Sequence, residues 1–159
     1  MFTNLLLALV TAVPALADNQ IKPKNTDSDL CIDNTNGVLI DGNPLQVWTC
    51  YRGNTNQGWA FNQDPAAPTQ FKMGTTGRCI GVAWPTSGNL LDAPVVLAPC
   101  TGPGYRTWFY RTGDYMCILG TNYCVQLDEE CPDDGTNLKI ALKTTPPALQ
   151  FFDYTTPAN

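Results

Sequence analysis

A cysteine set behind turn-forming residues recurs three times along this chain, as SDLCIDN around Cys31, TGRCIGV around Cys79 and TNYCVQL around Cys124. A second landmark follows each one at a similar distance. DGNPLQVWTC ends at Cys50, LDAPVVLAPC ends at Cys100, and DGTNLKIALK reaches the corresponding place at Lys143. A third landmark closes each copy, as NQGWAF, YRTWFY and ALQFFDY, which puts Trp59, Trp108 and Phe151 in register. Three landmarks recurring together in the same order mark an internal repeat of roughly 45 residues.

The residues between the landmarks say what the repeat is made of. Short apolar segments rich in Val, Ile, Leu and aromatics are punctuated by 13 Pro and 13 Gly, a strand-and-turn pattern with poor helix signals. Another short strand opens each copy, at Ile21, Phe71 and Met116. One such unit has too little apolar surface to fold by itself, so three must share a core around a pseudo-threefold axis. The expected fold is therefore an all-β β-trefoil of about twelve strands. Its repeats cover about residues 21–62, 69–111 and 114–154, and Trp59, Trp108 and Phe151 belong to its core.

The chain begins MFTNLLLALVTAVPALA, a short apolar run ending in a Pro and an Ala-Leu-Ala site. This reads as a secretory signal peptide over residues 1–17, leaving one domain over 18–159. The run is too short for a membrane span, which needs about 20 apolar residues, so no membrane insertion is expected. All seven cysteines lie beyond it and fit disulfides of a secreted, extracellular protein better than metal or redox centres. Their odd number leaves one thiol over, or pairs it with another chain. Net charge is −5 with no basic cluster, which argues against nucleic acid as a partner. Histidine is absent, which removes the commonest general base and much of zinc chemistry, so neither a metal nor any other cofactor is implied.

The triplet Gln57-Gly58-Trp59, together with CID and DGNPLQVWTC before it, resembles the ricin-B-type β-trefoil lectins. The likeness runs from about residue 21 to 154 and is closest in the first repeat. It implies binding of galactose-like sugars, or of other glycans and glycoproteins that carry them, without catalysis. It also implies bridges Cys31–Cys50 and Cys79–Cys100, each closing a loop of about 20 residues worth about 3 kcal/mol in the chain-entropy model. In the third repeat Lys143 replaces the partner of Cys124, while Cys117 and Cys131 are additional. Pairing Cys117 with Cys131 would leave Cys124 as a buried thiol, although Cys124 could equally take either neighbour.

A sugar offers hydroxyls that seek a carboxylate or an amide, and a patch of C–H bonds that packs on an aromatic face. The first repeat carries all three partners. By the resemblance, Asp33 is the hydroxyl acceptor, Trp48 the stacking platform and Asn56 the amide partner, with Gln57 bracing Asp33. The loop containing Asp41 and Gly42 is expected to wall the pocket. Taken singly, Asp33 also fits a turn residue and Trp48 a core aromatic. Gly81, Ala98 and Tyr105-Arg106 occupy these places in the second repeat, and Gln126, Ala141 and Ala148-Leu149 in the third, so both should be inactive toward the usual sugar. Trp84 and the acidic LDEECPDD run then read as a loop aromatic and a solvated charge run.

The expected protein is thus a lectin with one competent site, for galactose or N-acetylgalactosamine. Agglutination would require a homodimer or further sites. The alternative is a β-trefoil that holds a protein partner, as a protease inhibitor or secreted effector. Adjacent acids such as Asp128 and Glu129 make a poor glycosidase pair, because neighbours in a loop rarely point into one cleft.

Overall fold

Short alternating segments between Gly- and Asp-bearing turns form strands, thirteen of them among the described residues. The computed structural model describes residues 19–155 except 25, 27, 28, 86, 113, 145–148 and 151. The expected signal segment 1–17 and Phe151 lie outside the described residues. The first repeat contains β1 (Gln20–Pro23), β2 (Leu30–Asn34), β3 (Leu45–Thr49) and β4 (Trp59–Ala60). The second contains β5 (Lys72–Met73), β6 (Arg78–Ala83), β7 (Val95–Pro99), β8 (Tyr105–Arg106) and β9 (Phe109–Thr112). The third contains β10 (Tyr115–Ile118), β11 (Tyr123–Leu127), β12 (Leu138–Leu142) and β13 (Phe152–Thr155). The count exceeds twelve because the fourth strand of the second repeat is broken at Thr107-Trp108.

The first and fourth strands of the repeats close a ring. β4 pairs with β5, β9 with β10, and β13 returns to β1, all antiparallel. Bridges Asn19–Trp59 and Thr69–Phe109 join first to fourth strand within a repeat. The hairpins β2–β3, β6–β7 and β11–β12 complete the three lobes. Alternation along each hairpin sends one face inward. Ile32, Leu45 and Val47, then Ile80, Val82 and Leu97, then Val125, Leu127 and Ile140, all enter one buried cluster. The all-β trefoil architecture is the one that the repeat pattern predicts.

The lobes are clasped to one another by equivalent turns before β3, β7 and β12. Gly42 N–H donates to the Leu97 carbonyl, Asp92 N–H to that of Ile140, and Gly135 N–H to that of Val47, closing a cycle from lobe to lobe. Return bonds run from Leu97, Ile140 and Val47 N–H to Asn43, Ala93 and Thr136. All three turn residues have positive φ, at 85°, 60° and 95°. Two of the three lobes use glycine there, as left-handed backbone favours. A Cβ on Gly42 would meet nothing nearer than the Tyr105 hydroxyl at 3.9 Å, so backbone strain alone sets the cost of adding one. Gly42→Ala is expected to lower the free energy of unfolding by about 1–2 kcal/mol, read from the denaturant midpoint at unchanged m-value.

Two expectations need correction. Trp108 is not a core residue: it is 51% exposed, and Phe109 is the fully buried one. Phe109 exchanges both backbone hydrogen bonds with Thr69, as Trp59 does with Asn19, so the repeats align one residue later than matching Trp with Trp suggests. Phe152 takes the third place, also fully buried. Cys117 does not pair with Cys131 either. It is bonded to Cys124, its direct cross-strand partner between β10 and β11, and Cys131 is an exposed thiol on the loop after β11. With Lys143 in the partner's usual place, Cys124 bonds across the sheet to the strand before it. The bridges Cys31–Cys50 and Cys79–Cys100 form as expected.

Candidate functional site

The hairpin β2–β3 has a second face, turned away from the core. In register, Cys31 lies opposite Trp48 and Asp33 opposite Gln46. Since Ile32 and Val47 point inward, period two sends Asp33, Gln46 and Trp48 to the outer face together. They line a shallow depression of about 200 Å³ with Asn36, Tyr51, Asn54 and Asn56. Trp48 is 38% exposed and Tyr51 56% exposed, whereas Asp33 is only 5% exposed. An acid at the floor and aromatic surface at the rim follow directly.

Asn56 is delivered by a 3-10 turn, Thr55–Gln57, whose first N–H groups have no internal partner. The Asn54 side chain caps it by accepting from Asn56 N–H at 3.0 Å. A second turn, Thr35–Gly37, packs against it: a Cβ on Gly37 would lie 3.0 Å from Asn56 Oδ1, and Gly37 has φ of 66°. Only glycine combines that approach with that backbone.

Gln57 stands behind the depression, fully buried. Its Oε1 accepts from Tyr51 N–H at 2.9 Å and its Nε2 donates to the Thr49 carbonyl at 3.0 Å, so it fixes the segment that carries Trp48 and Tyr51. Gln150 makes the matching bonds in the third repeat, with Thr144 N–H and the Leu142 carbonyl. Burial pushes the Asp33 carboxyl above the usual aspartate range, opposed by hydrogen bonds from the Gln46 and Gln57 amides and reinforced by Asp134. Gln46 donates to Asp33 Oδ1 at 3.3 Å.

Asp41 and Gly42 are not brought to this depression, which corrects their expected place in its wall. Asp41 is ion-paired with Arg78 of the second repeat, and Gly42 belongs to the inter-lobe clasp. Asn36, from the same loop, lines the site instead. Sequence reasoning also missed Gln46, Tyr51 and Asn54. The Gln-Val-Trp spacing at 46–48 was a signal for Gln46, since residues two apart on a strand share a face. The acidic run 127–134 is not merely solvated: Asp134 accepts from the Thr49 hydroxyl at 2.9 Å, and Asp128 pairs with Lys139.

The other two lobes lack this arrangement. A Cβ on Gly81 would sit 2.6 Å from the Ala98 Cβ and 3.1 Å from Thr107 Cγ2, so the space that Asp33 uses is already filled. In the third lobe Gln126 is bound to the Gln150 amide, and Ala141 replaces the indole.

The sequence profile of the ricin-type beta-trefoil lectin domain matches residues 18–154. The chain belongs to this family of carbohydrate-binding lectins. An agglutinin of Ricinus communis is 26% identical over 113 residues, 70% of this chain and 18% of the agglutinin; the match thus spans less than a fifth of that relative's length. The designed threefold-symmetric protein ThreeFoil superposes with a TM-score of 0.70 at 14% identity, covering 87% of this chain and 98% of its own. A ricin B-like lectin of Macrolepiota procera, solved with lactose, gives 0.62 at 18% identity, covering 92% of this chain and 100% of its own. The C-terminal half of an earthworm R-type lectin, solved with GalNAc, gives 0.62 at 13% identity, covering 87% of this chain and 98% of its own. These likenesses carry the fold. Among the described residues no helix is long and apolar enough to cross a membrane.

Proposed function

We propose that this lectin is secreted and binds terminal galactose- or N-acetylgalactosamine-type residues of glycans and glycoproteins through one site, in its first repeat. The observation that carries the reading is the position of Asp33 and Trp48 on the same outer face of one hairpin, lining one depression. The carboxylate can accept from two neighbouring sugar hydroxyls, charge-assisted bonds being the stronger class. The exposed indole offers an apolar face to the ring's C–H patch, and the Asn56 amide can donate or accept beside it. The filled place at Gly81 and the amide lock at Gln126 support a single competent lobe. The three disulfides fit an oxidising, extracellular setting.

One shallow site gives weak binding, near millimolar for a monosaccharide or about 4 kcal/mol, so strong attachment to a cell surface requires a homodimer or a multivalent target. A glycan array with the purified protein tests the specificity, with galactose-terminated structures expected to lead. Trp48→Ala should lose retention on galactose resin while its melting temperature stays within about 2 °C of the parent, as for a surface substitution. Retention of that variant, or an array silent to glycans beside capture of a defined protein partner, would overturn the assignment.

A further inference from the structure

Two of the four tryptophans serve neither the core nor the Asp33 site. Trp84 is 38% exposed and Trp108 is 51% exposed. Trp108 forms a wall shared by two depressions of about 420 and 350 Å³. Lys72, Gln70 and Asn62 line the first; Arg106, Thr101 and Leu119 line the second. The Arg106 guanidinium lies 4.0 Å over the Trp84 ring, which fixes it beside the second depression.

The linings of these two depressions carry two cations and no carboxylate. On a chain of net charge −5, Lys22, Lys24, Arg78 and Lys139 all have carboxylate partners. Lys72 and Arg106, like Arg52, Arg111 and Lys143 elsewhere, have no ion pair among the described residues. The floor between them is rigid: Gln70 Nε2 donates to the Thr107 hydroxyl at 2.9 Å and to the Cys100 carbonyl. An exposed indole between two shallow basins, with an unpaired cation in each, is complementary to a ligand that alternates ring faces with negative charge.

We propose that this surface is a second saccharide site, for an acidic oligosaccharide whose rings pack on Trp108 and whose carboxylates meet Lys72 and Arg106. It centres on Trp108 of the second repeat, draws Asn62 from the first and Leu119 from the third, and borders the closed space at Gly81 through Arg106 and Thr107 without needing that space. A sugar fits better than an acidic peptide because the basins are shallow, offer hydroxyl and amide groups, and contain no deep apolar slot for a side-chain anchor.

Titration of the full chain with α-1,4-linked tetragalacturonate, followed by calorimetry and tryptophan fluorescence, tests the site. Binding is expected at low salt and should weaken as salt rises. Trp108→Ala should weaken it by about tenfold or more, and Lys72→Glu combined with Arg106→Glu should do the same. Trp48→Ala should leave it unchanged, and Trp108→Ala should keep its retention on galactose resin, so this site and the Asp33 site succeed or fail separately. Absence of binding at millimolar tetragalacturonate would overturn the proposal. So would equal binding by the Trp108→Ala variant with unchanged melting temperature, or equally tight binding of a poly-glutamate peptide lost through the same substitutions.

Discussion

Replacing Trp59 by alanine is expected to remove about 3–5 kcal/mol of stability, the range for deleting a large buried aromatic. The indole is fully buried in the cluster that the three lobes share. Its Nε1–H donates to the Ile32 carbonyl at 3.0 Å, which ties the fourth strand of the lobe to the site hairpin. A domain of this size has a total stability of about 5–15 kcal/mol, so the variant should be partly unfolded at 37 °C or lost on purification. The other lobes set the control. Phe109 and Phe152 fill the same place without a ring N–H, so Trp59→Phe keeps most of the packing and should cost about 1–2 kcal/mol, from a smaller ring and one carbonyl left without its donor. Trp108→Ala, on the exposed neighbour, should change stability by under about 0.5 kcal/mol. Equilibrium urea unfolding of the three variants measures the order, and a Trp108→Ala variant as unstable as Trp59→Ala would contradict the one-residue register correction.

That register error shows where the sequence was legible and where it was not. Repeat length and hairpin positions are set by local spacing, and spacing is what a sequence displays, whereas the bridges of the first two lobes came from the resemblance to the ricin-B-type lectins. The same resemblance put Asp33 and Trp48 at one site, and period-two alternation along the hairpin is the physical reason both reach its outer face. The fourth strand of the second lobe was different. Matching Trp108 to Trp59 relied on residue identity, whereas the structure aligns backbone partners, and Phe109 bonds Thr69 as Trp59 bonds Asn19. Asp41 was misplaced for a related reason. Nothing local in LIDGN says that the acid reaches across to Arg78, in another lobe and 37 positions away. The third-lobe disulfide was open because three cysteines permit three pairings, and only the pairing of β10 with β11 places Cys117 against Cys124.

Asp33→Asn should abolish retention on galactose resin and leave the protein at least as stable as its parent at pH 7. Burial raises the Asp33 carboxyl above its unfolded value, so between those two values the folded state binds more protons than the unfolded chain. Stability from this group is therefore fully present below the unfolded aspartate range and is lost as pH rises through the raised folded value. At neutral pH the parent bears the cost of an ionised carboxylate held on a nearly buried floor, and the neutral amide does not. The amide oxygen can still accept from Gln46. Sugar affinity runs the other way, because the hydroxyls need the ionised form: it should fall on acidification, starting at a pH above the ordinary aspartate range. Melting temperatures of parent and variant should accordingly converge as pH is lowered, while resin retention of the parent declines over the same interval. A variant that is destabilised at pH 7 but still held by the resin would make Asp33 a structural residue and remove the acid from the site.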